Sequence, residues 1–420
     1  MVGIGEMYLA KFVVQLGLGP LAAGLIMTAP MLLGALMGLW GPAMLKRTGS
    51  FAKYLGLTAG LQGLMYFPLA LLALTAPMFV PQMMEAGLGW LVTLGVFAVV
   101  TLYYFAGLAT AAPWVTATGE MFPRRIMARY SAHRLRLLQG ATLGALLLHG
   151  LIADWMLSLA NRGDWTYMYG LDPGLCGFAA AFILAGLMRL VSAYHLTKYS
   201  EPRRNSPSEQ SHVHASDFVK RFRHGMDGRF LFCVLAGNCA LQIAQPYFNP
   251  FMLQRIEYSG DLYQWLVRVV GTNAPYSVLL AGVYFGRMVA LSLAGSLAAR
   301  RHPMWLMWIG GGMLPIMAVF WLWTNHYTWL LMGQVATGVA LAAWELGIVL
   351  MNYEAIKAHE RTAMLTYFNV VNEGSKTGGS LLGGGILEAG GKEAGAYAMT
   401  FYVSAVARAL ILLLMARVRK

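Results

Sequence analysis

Asn238, Gln242, Gln245 and Asn249 recur at intervals of three and four residues in a segment that is otherwise apolar. At about 100° per helical residue these four carboxamides fall within about 60° of one another. One amide on an apolar helix usually bonds a neighbouring helix. Four in line favour a wetted cavity over that plainer role. Pro246, inside the same run, removes a backbone hydrogen bond and predicts a bend.

A second stripe carries charge. Asn369, Asn372, Glu373, Lys376 and Ser380 share one face of another apolar run, with Glu373 and Lys376 at i and i+3, close enough to meet. A charge at membrane depth costs about 2.5–3.5 kcal/mol on insertion scales, so it must face protein and find a partner. A pair flanked by Asn on both sides points to a solvated pathway, the alternative being an ion pair that only locks two helices. In a third run Gln334 and Glu345 stand eleven residues apart on one face, with Trp344 beside the acid. Desolvation there favours the neutral acid, which suits a proton carrier. Permanent pairing of Glu345 with Arg287 or Lys376 is the other possibility. Near the start, Tyr8, Lys11 and Gln15 share a face, with Glu6 opposite and given little weight because it lies close to the chain end. Gln139, Thr142 and His149 align in a further run, where His149 is either a group titrating near neutral pH or a packing group.

The elements that must position these residues follow from where charge is absent. Only 12% of residues are Asp, Glu, Lys or Arg, while 58% are hydrophobic, and mean hydropathy is +0.56. The charges fall in short gaps between apolar stretches of about 20 residues, the length that crosses a ~30 Å hydrocarbon core as a helix. Twelve spans are expected: 2–19, 21–45, 54–76, 90–112, 136–158, 174–196, 229–252, 276–299, 304–324, 329–351, 366–387 and 397–416. The first begins abruptly at Val2, which suggests further residues upstream, and no cleavable signal peptide is expected. The three cysteines, Cys176, Cys233 and Cys239, all lie in apolar stretches, offering neither a disulfide framework nor zinc spacing.

The net charge of +13 is not a nucleic-acid signal, because the basic residues collect in alternate gaps. Lys46, Arg47 and Lys53 share one side with Arg124, Arg125, Arg129, Arg134 and Arg136, with the central basic segment and with Arg300 and Arg301. The opposite side has Arg162, Arg255, Arg268 and Lys392. The positive-inside rule then places both termini in the cytoplasm. The longest polar segment divides the chain into 1–197, a cytoplasmic linker 198–228, and 229–420. Phe218 to Arg223 forms either a basic amphipathic helix or a solvated charge run.

Short motifs add a resemblance. After the second expected span the chain reads Gly41-Pro-Ala-Met-Leu-Lys46-Arg47-Thr-Gly49, and after the eighth Gly295-Ser-Leu-Ala-Ala299-Arg300-Arg301. Both resemble the loop motif Gly-x-Leu-Ala-Asp-Arg-x-Gly of the major facilitator superfamily, though neither has its acidic residue. Small-residue runs recur at matching places, Gly140-x-x-x-Gly144 and Gly374-x-x-x-Gly378-Gly379, as an internal repeat predicts. The Gly-Pro of the superfamily's antiporter motif is absent. The resemblance implies an all-α membrane protein of 12 transmembrane helices in two pseudo-symmetric six-helix bundles. It further implies a secondary transporter without cofactor or bound metal, monomeric, and multi-pass in the inner membrane.

On that reading Lys11, Gln15, Asn238, Gln242, Gln245, Asn249, Arg287, Gln334, Asn369, Asn372 and Lys376 bind a small polar solute, anionic or zwitterionic. Glu345 or Glu373 couples transport to a proton or sodium gradient, and Gly41, Arg47, Gly295 and Arg300 belong to cytoplasmic gating loops. The superfamily places spans three, six, nine and twelve at the periphery. Two alternatives are a copper carrier lined by Met27/Met31 and Met313/Met317, and a non-transporting assembly or binding protein on the same fold. Catalysis is not expected, since no nucleotide loop, His-Glu-x-x-His or nucleophile elbow occurs.

Overall fold

The computed structural model describes residues 2–18, 22, 25–26, 28–160, 172–200, 213–270, 274–391 and 393–418. Within these the chain is built of helices: α1 (Leu9–Gln15), α2 (Ala29–Met37), α3 (Gly41–Thr48), α4 (Phe51–Leu64), α5 (Tyr66–Glu85), α6 (Gly89–Met121), α7 (Arg124–Ala160) and α8 (Pro173–Thr197). They continue as α9 (Ala215–His224), α10 (Met226–Gln254), α11 (Asp261–Val269), α12 (Ala274–Ala298), α13 (Met304–Val319), α14 (Tyr327–Ala355), α15 (Arg361–Ala389) and α16 (Ala394–Val418). Helix is what a bilayer demands, because the hydrocarbon offers backbone N–H and C=O groups no partners.

Eight stretches are each long and apolar enough to cross, among them Phe51–Glu85, Gly89–Met121, Met226–Met252 and Tyr327–Ala355. This is a multi-pass membrane protein. The other four expected spans are the interrupted or polar ones. The second is broken into α2, a 3-10 turn at Gly38–Trp40, and α3. Two more, α7 and α15, carry the charges and amides noted above.

Several boundaries differ from the sequence reading. The gap expected at 113–135 is almost wholly helical: α6 runs to Met121 and α7 begins at Arg124, so the arginines expected in a loop ride on α7. Pro123 stands at the break, just before α7 begins, where a proline costs no helical hydrogen bond. The expected gating loops also turn out helical. Gly41 and Arg47 lie on α3, ended by left-handed Gly49 (φ 64°), and Gly295 lies on α12. Only Arg300 is in a turn, where the chain heads for Pro303. Helix α10 passes through both Pro246 and Pro250. The basic segment at the end of the linker does form a helix, α9. Its Phe218 is buried, its Phe222 ring lies 5.9 Å from Phe232 of α10, and Arg221 pairs with Asp227 at 3.0 Å. Helix α11 is unanticipated.

The chain divides into two compact units. The first is Met1–Met121, Ala141–His212 and His359–Glu373, and the second Phe122–Gly140, Val213–Ala358 and Gly374–Lys420. The first unit packs α2 on α6 and α4 on α6 and α8, around a core in which the Phe12 and Phe182 rings meet edge-on at 5.0 Å. Within the second, α12 packs on α14 and α13 on α14 and α16, with cores around Phe251, Tyr327 and Phe401 and around Leu291, Leu346 and Leu350. Taken in chain order, the pairing of spans two with four and three with six recurs as eight with ten and nine with twelve. That is the internal repeat expressed in packing.

Apolar residues gain little by leaving lipid, so close approach of backbones carries more of the association than in water. A Cβ at Gly286 would run into the Val335 carbonyl, and one at Gly338 into the Val283 carbonyl, which fixes α12 against α14. On α15 it is Gly379 and Gly383 that meet carbonyls of α10, whereas Gly144, Gly374 and Gly378 face open space. Gly286→Val should therefore lower stability by about 1–3 kcal/mol through overpacking. Gly144→Ala should leave it unchanged or raise it. Thermal unfolding of the two variants in detergent checks the contrast.

Candidate functional site

The glycine-mediated approach of α12 to α14 sets the site. Arg287, the residue after Gly286 on α12, projects toward Glu345, about two turns along α14 from Gly338. Nη2 lies 3.0 Å from Oε1, and Nη1 donates to Oε2 at 3.3 Å. This is the fork-to-fork geometry that a guanidinium and a carboxylate favour. Nη1 also reaches Gln139 Oε1 of α7 at 3.5 Å. Lys376 of α15 bears electrostatically on Glu345 as well. The Glu345 side chain is 37% exposed and that of Arg287 16%, so the pair is reachable and is not a sealed clamp.

Beside the pair the second unit holds a half-open cavity of about 220 Å³, lined by α10, α12, α13, α14 and α16. Gln245 and Asn249 of the carboxamide stripe line it, with Tyr284, Arg287, Gln334 and Thr337. Gln334 is buried and its amide donates to the Met252 sulfur at 3.8 Å. Asn238 and Gln242 do not line this cavity; both are half-buried, and Gln242 lies against Gly379. Spans nine and twelve, expected at the periphery, contribute Leu314, Trp321 and Arg408 to the wall.

Arg408 was passed over in the sequence because a single arginine on an apolar helix has no local pattern. Here it is 6% exposed, its Nη1 donating to the Leu314 carbonyl at 3.0 Å and its Nη2 to the Leu241 carbonyl at 3.2 Å.

The remaining candidates sit elsewhere. Lys11 and Gln15 are exposed on α1 in the first unit, Gln15 against Gly174. Asn372 and Glu373 are buried, the Asn372 amide donating to Glu373 Oε1 at 3.0 Å, while Asn369 and Lys376 are half-buried. Met27 and the side chain of His149 lie outside the described residues, and Met317 lines the cavity.

Glu6, given little weight in the sequence, is the centre of a network in the first unit. Tyr103 donates to its Oε2 at 2.7 Å, Tyr104 to its Oε1 at 3.5 Å, and Tyr66 to the Tyr103 oxygen at 3.2 Å. Glu373 bears on Tyr104, and Arg189 on Tyr66 and Tyr103. No periodicity could have joined residues so far apart in the chain.

The Arg287–Glu345 coupling should lie between a surface pair's ~1 kcal/mol and the 3–5 kcal/mol lost on breaking a buried one. About 1–3 kcal/mol is expected. Arg287→Met and Glu345→Gln should each destabilise the protein, and the double variant should recover part of the loss. A double-mutant cycle on unfolding midpoints measures it, and additivity would mean the two groups do not interact.

No family model matches the chain, and no curated protein matches it. Solved structures do. A bacterial homologue of the iron transporter ferroportin, in an outward-facing state, superposes with a TM-score of 0.65 at 12% identity, covering 99% of this chain and 94% of that one. The proton:xylose symporter of the major facilitator superfamily gives 0.65 at 14% identity, covering 98% and 90%. A human organic anion transporter gives 0.62 at 11%, covering 97% and 88%. Likeness at such identities concerns the fold.

Proposed function

The chain has the major facilitator fold, and from that premise we propose that it is a secondary transporter moving a small anionic or zwitterionic solute by alternating access, coupled to protons. Its two halves, 1–197 and 229–420 with the linker between them, are the moving parts. It works as a monomer in the inner membrane with both termini in the cytoplasm. Energy comes from a gradient, since the sequence holds no nucleotide-binding loop.

The observation that carries this reading is the partly exposed Arg287–Glu345 pair, with Lys376 bearing on the same carboxylate. A solute entering the cavity that Arg287 lines competes with Glu345 for that guanidinium. Loss of Arg287, its bidentate partner, makes the Glu345 anion costlier at membrane depth, and it takes up a proton. Solute and proton are then held together, and release of one returns Glu345 to Arg287. The carboxamides of α10 supply uncharged hydrogen bonds for the rest of the solute.

Glu345→Gln mimics the protonated acid. In proteoliposomes this variant should still exchange solute in counterflow and fail to accumulate it under an imposed pH gradient. Loss of both activities would make Glu345 a structural or solute-binding acid, and retention of both would remove it from the mechanism. Accumulation driven by a sodium gradient in place of a pH gradient would reassign the coupling ion.

Lys376→Met should abolish gradient-driven uptake, leaving folded protein in the membrane at ordinary levels. Uptake unchanged at equal expression would confine Lys376 to a structural role.

A further inference from the structure

Arg408 is the cation for which the transport reading has no use. It sits on α16 inside the second unit, 6% exposed, and among the described residues no carboxylate pairs with it. Its two hydrogen bonds go to the Leu314 and Leu241 carbonyls. A guanidinium has five N–H donors, and Nε of Arg408 is buried without a partner. Main-chain carbonyls supply partial charge only, so a full positive charge is left unanswered among apolar helices, an expensive arrangement for a structural residue. Arg287 Nε is likewise buried without a partner, but its two Nη atoms have the Glu345 carboxylate.

The surroundings say what would answer it. Arg408 lines the cavity that also holds Gln245, Asn249, Tyr284, Gln334 and Thr337. At about 30 Å³ per water the space takes about seven waters or one small molecule. The wall thus offers a cation, several neutral hydrogen-bonding groups, and apolar surface from Phe248 and Trp321. We propose that this cavity, within the second unit, is a binding site for a small hydroxy- or amino-carboxylate whose carboxylate pairs with Arg408 while its polar substituent meets the amides of α10 and α14.

The inference refines the solute class of the transport reading and to that extent rests on it, yet binding is measurable without transport. The full-length protein in phosphatidylcholine nanodiscs is titrated by calorimetry with a panel of two- to six-carbon hydroxy- and amino-carboxylates, their neutral amides, chloride and inorganic phosphate. One or more carboxylates should bind and the matching amides should not. Arg408→Met should weaken that binding at least tenfold, with Arg408→Lys in between. Should Arg408→Met fail to fold, Met317→Trp fills the cavity with the guanidinium intact, and it should abolish binding equally.

Equal carboxylate binding by folded wild-type and Arg408→Met protein would overturn the proposal. So would equal binding by Met317→Trp, or binding of chloride or phosphate alone. A response only when phosphatidylglycerol is included would overturn it in favour of a lipid headgroup. Counterflow separates the two readings. Transport that survives in Arg408→Met sinks this site and spares the transporter; carboxylate binding without transport of any bound solute spares the site and sinks the transporter.

Discussion

Charge within a bilayer has to be answered by the same protein, because lipid tails answer nothing. That constraint explains the arrangement of the second unit more fully than any packing argument. Arg287 and Glu345 meet in a bidentate pair only because glycines on α12 and α14 let the two backbones close up. A bulky side chain at Gly286 or Gly338 would separate the helices and leave both charges stranded. Backbone approach and charge pairing are therefore a single device.

The same constraint separates the cations by role. Arg287 has a carboxylate that a solute could displace, and it is partly reachable. Arg408 has main-chain carbonyls and, among the described residues, no carboxylate, although both arginines have a buried Nε without a partner and line the cavity. A displaceable pair suits coupling, since arrival of one anion changes the environment of another. A cation with spare donors suits holding an anion outright. Arg287 of α12 and Arg408 of α16 both line the same cavity.

The first unit handles its acid differently. Glu6 is met by the hydroxyls of Tyr103 and Tyr104, with Tyr66 bonded behind them. Hydroxyls stabilise a carboxylate through hydrogen bonds, and the same tyrosines feel Glu373 and Arg189. Two units with matching helix pairings thus carry different chemistry.

The sequence by itself determined the membrane-spanning class, the repeat, and the residues too costly to be there without a purpose. Hydrophobic length and the price of charge are local properties that a single chain displays openly. Glu345, Arg287, Lys376 and the α10 amides were all legible on that ground. Local pattern also set limits. It read the 113–135 interval as a loop because arginines there look solvated, whereas the chain stays helical on both sides of Pro123. Tertiary structure alone decided which partner Glu345 takes, that the amide stripe divides with Gln245 and Asn249 at the cavity, and which groups Arg408 and Glu6 bond. Those outcomes depend on which helix lies beside which. Helical periodicity states the face a residue occupies, and only packing states what that face meets.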